Sequence, residues 1–416
     1  MKSDESKIDL PRRSASLLNE HGRSLHGPSV AVLPFIELDD ESRKNRTGSW
    51  LSDDITHHLS RFRHLSVLSG RSHLSAFRQQ RALKAAGRTL GTRYQVIGFV
   101  RHAADHLEAT AFLIDSVSAK RLWSSPYRKP RHCLKAFEDD LATDMATGIA
   151  LSIDALECAR LKTADELDSE PESTPLILLA DYLTKHFRRH ANERARKLVE
   201  RALSIDPMSA RAHAVLSRTH HLDGRYGWSQ DPEKSTECAI DLAELAIRLD
   251  PMEATGHAEL GMNRHFQREY DAAFAAYHRA LDINPNDPDV LADFGDLLIS
   301  DGTPDLAIEP LTMAIHLRPA RAGMYRYYLA GAFDALGDNE SIIELLSMQS
   351  DNQEGHRMLA ASHARLGMLD KAAFHAHMAM KAHPDFSLAR WRTILPHRDP
   401  HAREQIIEGF ERAGLN

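Results

Sequence analysis

Apolar positions follow two different periods along the chain. In the first 130 residues they come in short alternating or continuous runs; from about residue 176 onward they recur every three to four residues, the spacing of one helix face. "SVAVLPF" (29–35) alternates and is rich in β-formers, so it predicts a strand, and "LSVLS" (65–69) predicts a second. Between them "GSWLSDDITHHLSRF" has helical spacing, with Ser49 or Ser52 as its cap. "RQQRALKAAGRTLGTR" (78–93) predicts a helix with Leu83, Ala86 and Leu90 on one face and Arg78, Arg81, Lys84 and Arg88 on the other, closed by Gly91. "RYQVIGFVRHAADHLEATAFLIDSVSAKRLWSSPYR" predicts three strands with turns at "HAADH" and "SVSA", and 131–160 one long helix. The order β-α-β-α-β-β-β-α describes a small α/β domain over 28–160, behind a polar, disordered tail at 1–27.

Proline punctuates the remainder. "LSIDP", "IRLDP", "LDINP", "IHLRP" and "MKAHP" close amphipathic helices at Pro207, Pro251, Pro285, Pro319 and Pro384. Two successive intervals are 34 residues; 207 to 251 is 44, as if a loop were inserted at "LDGRYGWSQDP", and 319 to 384 is close to two periods. Small and apolar residues recur between the prolines: Leu260, Gly261, Ala273, Tyr277 and Ala280, then Phe294, Gly295, Ala307, Leu311 and Ala314. Two helices crossing closely require small side chains at the contact. The units form an all-α superhelical solenoid of about six helix hairpins over 176–400, after a linker at 161–175, with 401–416 as a terminal capping helix. The unit at 321–353 lacks its closing proline.

These repeats resemble the tetratricopeptide repeat. Together with "SVAVLPF", "LSDDITHHLSRFRHLSVLSGRS", "LGTRYQVIGFVRH" and "FLIDSVSAKRLWSSPY", they resemble a TolB-like N-terminal domain followed by tetratricopeptide repeats, across roughly 28–400. The resemblance implies a module that in bacterial signalling proteins sits behind winged-helix DNA-binding or adenylate/guanylate cyclase domains; only about 28 residues precede the first strand here. Two positions depart from that family: Ile97-Gly98-Phe99 replaces an acidic residue, Gly and Ser, and Ser118-Ala119 replaces a Thr-Gly turn. The resemblance also implies a protein-binding groove lined by the first helix of each hairpin, here with Arg211, Arg218, Met262, His265, Asp289, Asp296, Tyr327, Asp334 and Arg357. The Lys/Asn clamp that some such arrays use for a peptide carboxylate is missing at Ala258/Met262, Ala292/Asp296 and Arg357/Ala361. The carboxylates Asp289, Asp296 and Asp334 would favour a basic segment.

Charge sharpens this picture. Residues 1–150 carry a net +6 and residues 151–416 a net −13, within an overall −7. From Arg61 to Arg101 there are nine Lys or Arg and no acid. That basic face suits the chain's own acidic array, an acidic partner or, as an alternative reading, DNA. No phosphate-binding glycine loop and no Gly-x-Ser-x-Gly elbow is present. Three scattered cysteines argue against a disulfide framework and for a cytoplasmic home. The 25 histidines include His375/His377 and His213 with His220 or His221, without a completing ligand, so no metal or cofactor is expected. Asp53 and His57 are helix neighbours, read as a charged helix start rather than an acid–base pair. The expectation is a non-enzymatic interaction scaffold or signalling protein that binds a protein segment, with a transcription regulator as the alternative.

Overall fold

Strands β1 (Ser29–Val32), β2 (Ile36–Glu37), β3 (Ser66–Ser69), β4 (Tyr94–His102), β5 (His106–Asp115) and β6 (Arg121–Pro130) form one mixed sheet. The order is β3-β1-β4-β5-β6, parallel from β3 to β4 and antiparallel beyond, with β2 also pairing β4. The computed structural model describes residues 27–69, 80–103, 105–130, 134–161, 172–347, 355–384 and 386–415.

Helices α1 (Asp40–Asn45), α2 (Thr47–Leu59), α3 (Gln80–Leu90) and α4 (Leu134–Arg160) complete the α/β unit. Two short elements, β2 and α1, are additions to the expected order. They arise because Asp39 caps α1 through the Ser42 amide and Arg46, at φ 53, breaks the chain before α2. Neither Ser49 nor Ser52 is therefore a cap. Both lie inside α2, where the Ser52 hydroxyl donates to the Gly48 carbonyl and accepts from the Phe35 amide.

Leu51, Ile55 and Leu59 of α2, with Leu141, Met145, Ile149 and Ile153 of α4, pack on β1, β4 and β5 as one core. α3 approaches the sheet elsewhere: Ala86 is buried, and a Cβ at Gly87 would lie 2.7 Å from Ser116. Gly91, at φ +64, follows the helix as the sequence predicts. Ala119, in the turn between β5 and β6, is left-handed with φ +55.

The remainder is an all-α solenoid of tetratricopeptide-type hairpins. First helices are α5 (Ser173–Thr184), α7 (Ala210–Tyr226), α9 (Ala254–Phe266), α11 (Pro288–Asp301), α13 (Ala322–Ala335) and α15 (His356–Arg365). Their partners are α6 (Arg189–Ile205), α8 (Pro232–Leu249), α10 (Tyr270–Ile283), α12 (Pro304–Leu317), α14 (Asn339–Ser347) and α16 (Leu369–Ala382). α5 begins at Ser173, ahead of the expected 176. A Cβ at Gly261 would lie 2.9 Å from Tyr277, and one at Gly295 2.6 Å from Leu311. Ala273, Ala280, Ala307 and Ala314 are fully buried at the same crossings.

The loop expected over 222–232 is shorter than that stretch: 222–226 finish α7, 227–231 form the turn, and Pro232 starts α8. α7 has 17 residues and α8 has 18, against 13 and 14 in α9 and α10, so the longer interval extends both helices. Gly227, at φ +65, and Asp231 cap the turn between them. After α16 come the seven-residue α17 (Leu388–Ile394) and then α18 (Pro400–Arg412), whose Ile407 and Phe410 join the core around α15.

Gly98 gives a direct check on the sheet. A Cβ there would fall 2.1 Å from the buried Phe35 ring. Gly98→Ala should lower unfolding free energy by about 1–3 kcal/mol, measured by urea denaturation.

Candidate functional site in the bore of the solenoid

The first helices of the hairpins face a central bore. Midway along it Arg218 of α7 donates through Nε to both oxygens of Glu259 on α9, at 2.8 and 3.0 Å, and through Nη2 to Asp293 on α11, at 3.1 Å. The trio carries two carboxyls for one guanidinium. Burial pushes Glu259 up to about 7, against the pull of Arg218 and with the push of Asp293. Burial also raises Asp293.

A second cluster gathers at Asp289. Its carboxylate accepts from Lys185 at 2.5 Å, Arg318 at 3.0 Å, Arg321 at 2.9 Å and the Tyr325 hydroxyl at 2.6 Å. Burial opposes its charge, yet Lys185, Arg321 and Arg318 outweigh burial and hold it well below the usual carboxylate range. Lys185 also pairs with Asp181, 2.8 Å away.

The α/β unit closes this end. Arg211 of α7 donates to His64 Nδ1 at 2.6 Å, which leaves Nε2–H to donate to Asp154 of α4 at 2.7 Å. Arg63 pairs with Asp250 at 2.7 Å, and His316 with Asp144 at 3.2 Å. Between α4 and the hairpins lies a cavity of about 1260 Å³. Trp123, Tyr127, Leu151, Ala155, Leu178 and Leu179 supply an apolar wall; the two ion-pair clusters supply the floor. Cys158 lines it too, but burial pushes its thiol up to about 12, away from the reactive thiolate.

Of the nine groove residues, Arg211, Arg218 and Asp289 line this cavity. Met262 and His265 are buried on α9. Asp296 is half-buried, and burial pushes its carboxyl up to about 6 with Arg225 opposing. Arg357 lies 5.8 Å from the Tyr327 ring and 5.0 Å from that of Trp391, and Asp334 pairs with Arg365. Of the three carboxylates expected to favour a basic segment, Asp289 and Asp334 have cationic partners within the chain.

The basic stripe divides similarly. Arg78 lies outside the described residues, as does the side chain of Arg81. Arg88 is exposed and Lys84 half-exposed on α3. Arg63 and His64, near the stripe's start, are the part that meets the array. Asp53 and His57 do not line the cavity; His57 Nε2 sits 3.5 Å from Arg61. Among the described residues, no group of three His, Cys, Asp or Glu side chains is placed to hold a metal ion, and no helix is long and apolar enough to cross a membrane.

Lys185, Glu259, Asp293, Arg318 and Arg321 were not singled out by the sequence reading. One signal was present. The residue before the repeat proline is Asp206, Asp250 and Asn284 in three units, but Arg318 in the fourth.

No family model matches the chain. A curated relative from Rhizobium meliloti (strain 1021), "Putative adenylate cyclase 3", is 28% identical over 190 residues, or 46% of this chain and 32% of that protein. The chain thus spans about a third of that relative's length. Among solved structures, the Cut9–Hcn1 hetero-tetramer of the APC/C aligns with TM-score 0.43 and 14% identity, over 65% of this chain and 48% of that one. A tetratricopeptide protein of Thermus thermophilus aligns with TM-score 0.33 and 20% identity, over 48% and 93%. TolB from Acinetobacter baumannii aligns with TM-score 0.24 and 18% identity, over 30% and 28%. The repeat fold itself rests on the hairpins described above.

Asp289→Asn would leave three partly buried cations around a neutral group. It should cost about 3 kcal/mol in unfolding free energy, read as a lower urea midpoint.

At the other end of the bore, burial and the nearby Arg225 and Arg218 hold His221 down to about 3, and burial with Arg403 holds His397 down to about 4. A depressed histidine stabilises above its unfolded pKa of about 6.5, and that stability is lost as pH falls towards the folded value. His397→Gln should therefore lose less stability than wild type between pH 6.5 and 4, by at most about 3 kcal/mol in matched urea titrations.

Proposed function

We propose that the chain is a non-enzymatic scaffold that holds a segment of a partner protein in the cavity between α4 and the hairpins. The carrying observation is the cavity's make-up: about 1260 Å³, an apolar wall from α4, β6 and α5, and a floor whose charges are already paired. Apolar cavities with a few fixed polar groups are the usual form of binding sites. Because Arg218 with Glu259 and Asp293 crosses the bore at the floor, the segment that fits is a short apolar end or loop tip with polar flanks.

In this reading the TolB-like unit is a docking module that forms half the site. The name of the Rhizobium relative belongs to a protein of which about a third is matched. We take the shared part to be a binding and regulatory portion, which is consistent with a role in signalling.

Ala155 is exposed on α4 and faces the cavity, so a bulky residue there occupies the space without disturbing the core. Full-length wild type and Ala155→Trp should be compared as baits in crosslinked affinity capture from the source cell. Ala155→Trp should retain at least tenfold less of the wild-type partner, with thermal stability unchanged. Equal capture by both proteins would remove the cavity as the binding site.

A further inference from the structure

Strand β6 is a free edge of the sheet, since the strand order ends with it. Its pairing with β5 fixes which of its main-chain groups are spent. Thr110 stands opposite Pro126, and His106 opposite Pro130. Proline has no N–H, so neither can be a hydrogen-bonded pair of the antiparallel ladder. The two kinds of pair alternate, so Ser124, Pro126 and Arg128 turn their main-chain groups away from β5. The outer edge therefore offers the Ser124 and Arg128 amides as donors and the Ser124, Pro126 and Arg128 carbonyls as acceptors. Pro126 withholds the amide between them, which suits the edge to one short added strand rather than to an extended ladder.

This edge opens onto the cavity. Ser125, Pro126, Tyr127 and Arg128 all line it. Side chains of a strand alternate between faces, so a run of successive lining residues places the strand's border, not one of its faces, against the space. On the face towards α4, Trp123 and Tyr127 are half-buried over Gly148, where a Cβ would lie 3.5 Å from Trp123 and 3.0 Å from the Tyr127 hydroxyl. On the opposite face Arg121 and Arg128 are exposed, near the two ends of the strand. Arg121 lies 5.6 Å from the Phe112 ring centre and Arg128 reaches His106 at 3.2 Å, but neither forms an ion pair with a carboxylate among the described residues.

We propose that the partner segment adds a strand to β6, with acidic residues on the face of Arg121 and Arg128 and apolar residues on the face of Trp123 and Tyr127. This rests on the reading of the cavity as the binding site, and gives the flank of the bound segment a conformation and a charge. Cross-strand neighbours share a face, so the acids meet the two unpaired arginines while the apolar residues continue the cavity wall. Charge selects this occupant over a second copy of the chain. Two β6 strands laid edge to edge gather Arg121 and Arg128 of both copies on one face, and β6 holds no acid to separate them.

The probes are two fluorescein-labelled peptides, GEVEVEVEG and GKVKVKVKG, titrated into the full chain and read by anisotropy. The acidic peptide should bind at least tenfold more tightly than the basic one. Ser124→Pro removes an outward amide and leaves the β5 ladder whole, so it should weaken the acidic peptide at least tenfold. Ser124→Ala keeps that amide and should bind as wild type does. Arg128→Glu should cut the preference for the acidic peptide at least threefold. Equal binding of the two peptides, or of the acidic peptide by Ser124→Pro and Ser124→Ala, overturns the proposal. Should Ser124→Pro unfold, hydrogen exchange on wild type decides. Saturating acidic peptide should slow exchange of the Ser124 and Arg128 amides, and unchanged exchange there overturns strand addition. The outcomes separate from those of Ala155→Trp, which fills the interior of the cavity. Capture lost in Ala155→Trp with no peptide on β6 keeps the cavity and removes the edge; peptide on β6 with equal capture by both baits removes the cavity and keeps the edge.

Discussion

One guanidinium joins the first helices of three successive hairpins. Arg218 reaches from α7 to Glu259 on α9 and Asp293 on α11, so three successive repeats are tied across the bore by groups that are nearly free of solvent. A buried pair of this kind adds little net stability compared with apolar packing, but removing one partner leaves an uncompensated charge. Its consequence is geometric. An open tetratricopeptide groove presents first-helix side chains to a ligand, whereas here Arg218, Glu259 and Asp293 bind one another.

Pairing decides which carboxylates of the acidic array are on display. Asp289 collects Lys185, Arg318 and Arg321, while Asp241, Asp271, Asp305 and Glu309 stay exposed; on the α/β side Asp154 of α4 collects His64, which Arg211 backs. The α/β unit contributes Arg63 and His64 from the turn after α2, together with the acidic face of α4. The two units are joined by these specific pairs around a cavity and by apolar packing of Cys158 and Leu161 with Leu176, Ile177 and Leu179. Long-range attraction between a +6 half and a −13 half favours their approach, and the pairs determine the register.

Local features were legible in the sequence. The 34-residue period, the small residues at Gly261 and Gly295, the buried face of α3 at Ala86 and the stop at Gly91 all depend on neighbours within one hairpin or one turn. Misreadings came where a distant contact outvotes a local preference. Ser52 looks like a helix cap, but its hydroxyl is used inside α2 to hold the Phe35 amide, 17 residues away. The loop read over 222–232 shrank to a turn at 227–231 because longer α7 and α8 pack along each other. Asp289 looked like a ligand for a basic peptide, and its basic partners turned out to lie 29, 32 and 104 residues away, which no periodicity encodes. Arg318, standing where the three preceding repeats place Asp or Asn, was the trace of that arrangement in the sequence.

The two ends of the array are built differently. At the α4 end there is a cavity with an apolar wall, where burial of apolar surface is the main source of binding energy and the ion pairs of the floor need not be broken. At the other end residues 387–398 lie against the ends of α7, α9 and α11, and their Leu388, Trp391 and Leu395 share one apolar cluster with Ile407 and Phe410 of α18. The chain therefore closes on itself there, and because Arg218, Glu259 and Asp293 join α7, α9 and α11 directly, a shift of any one of these helices is felt by the other two.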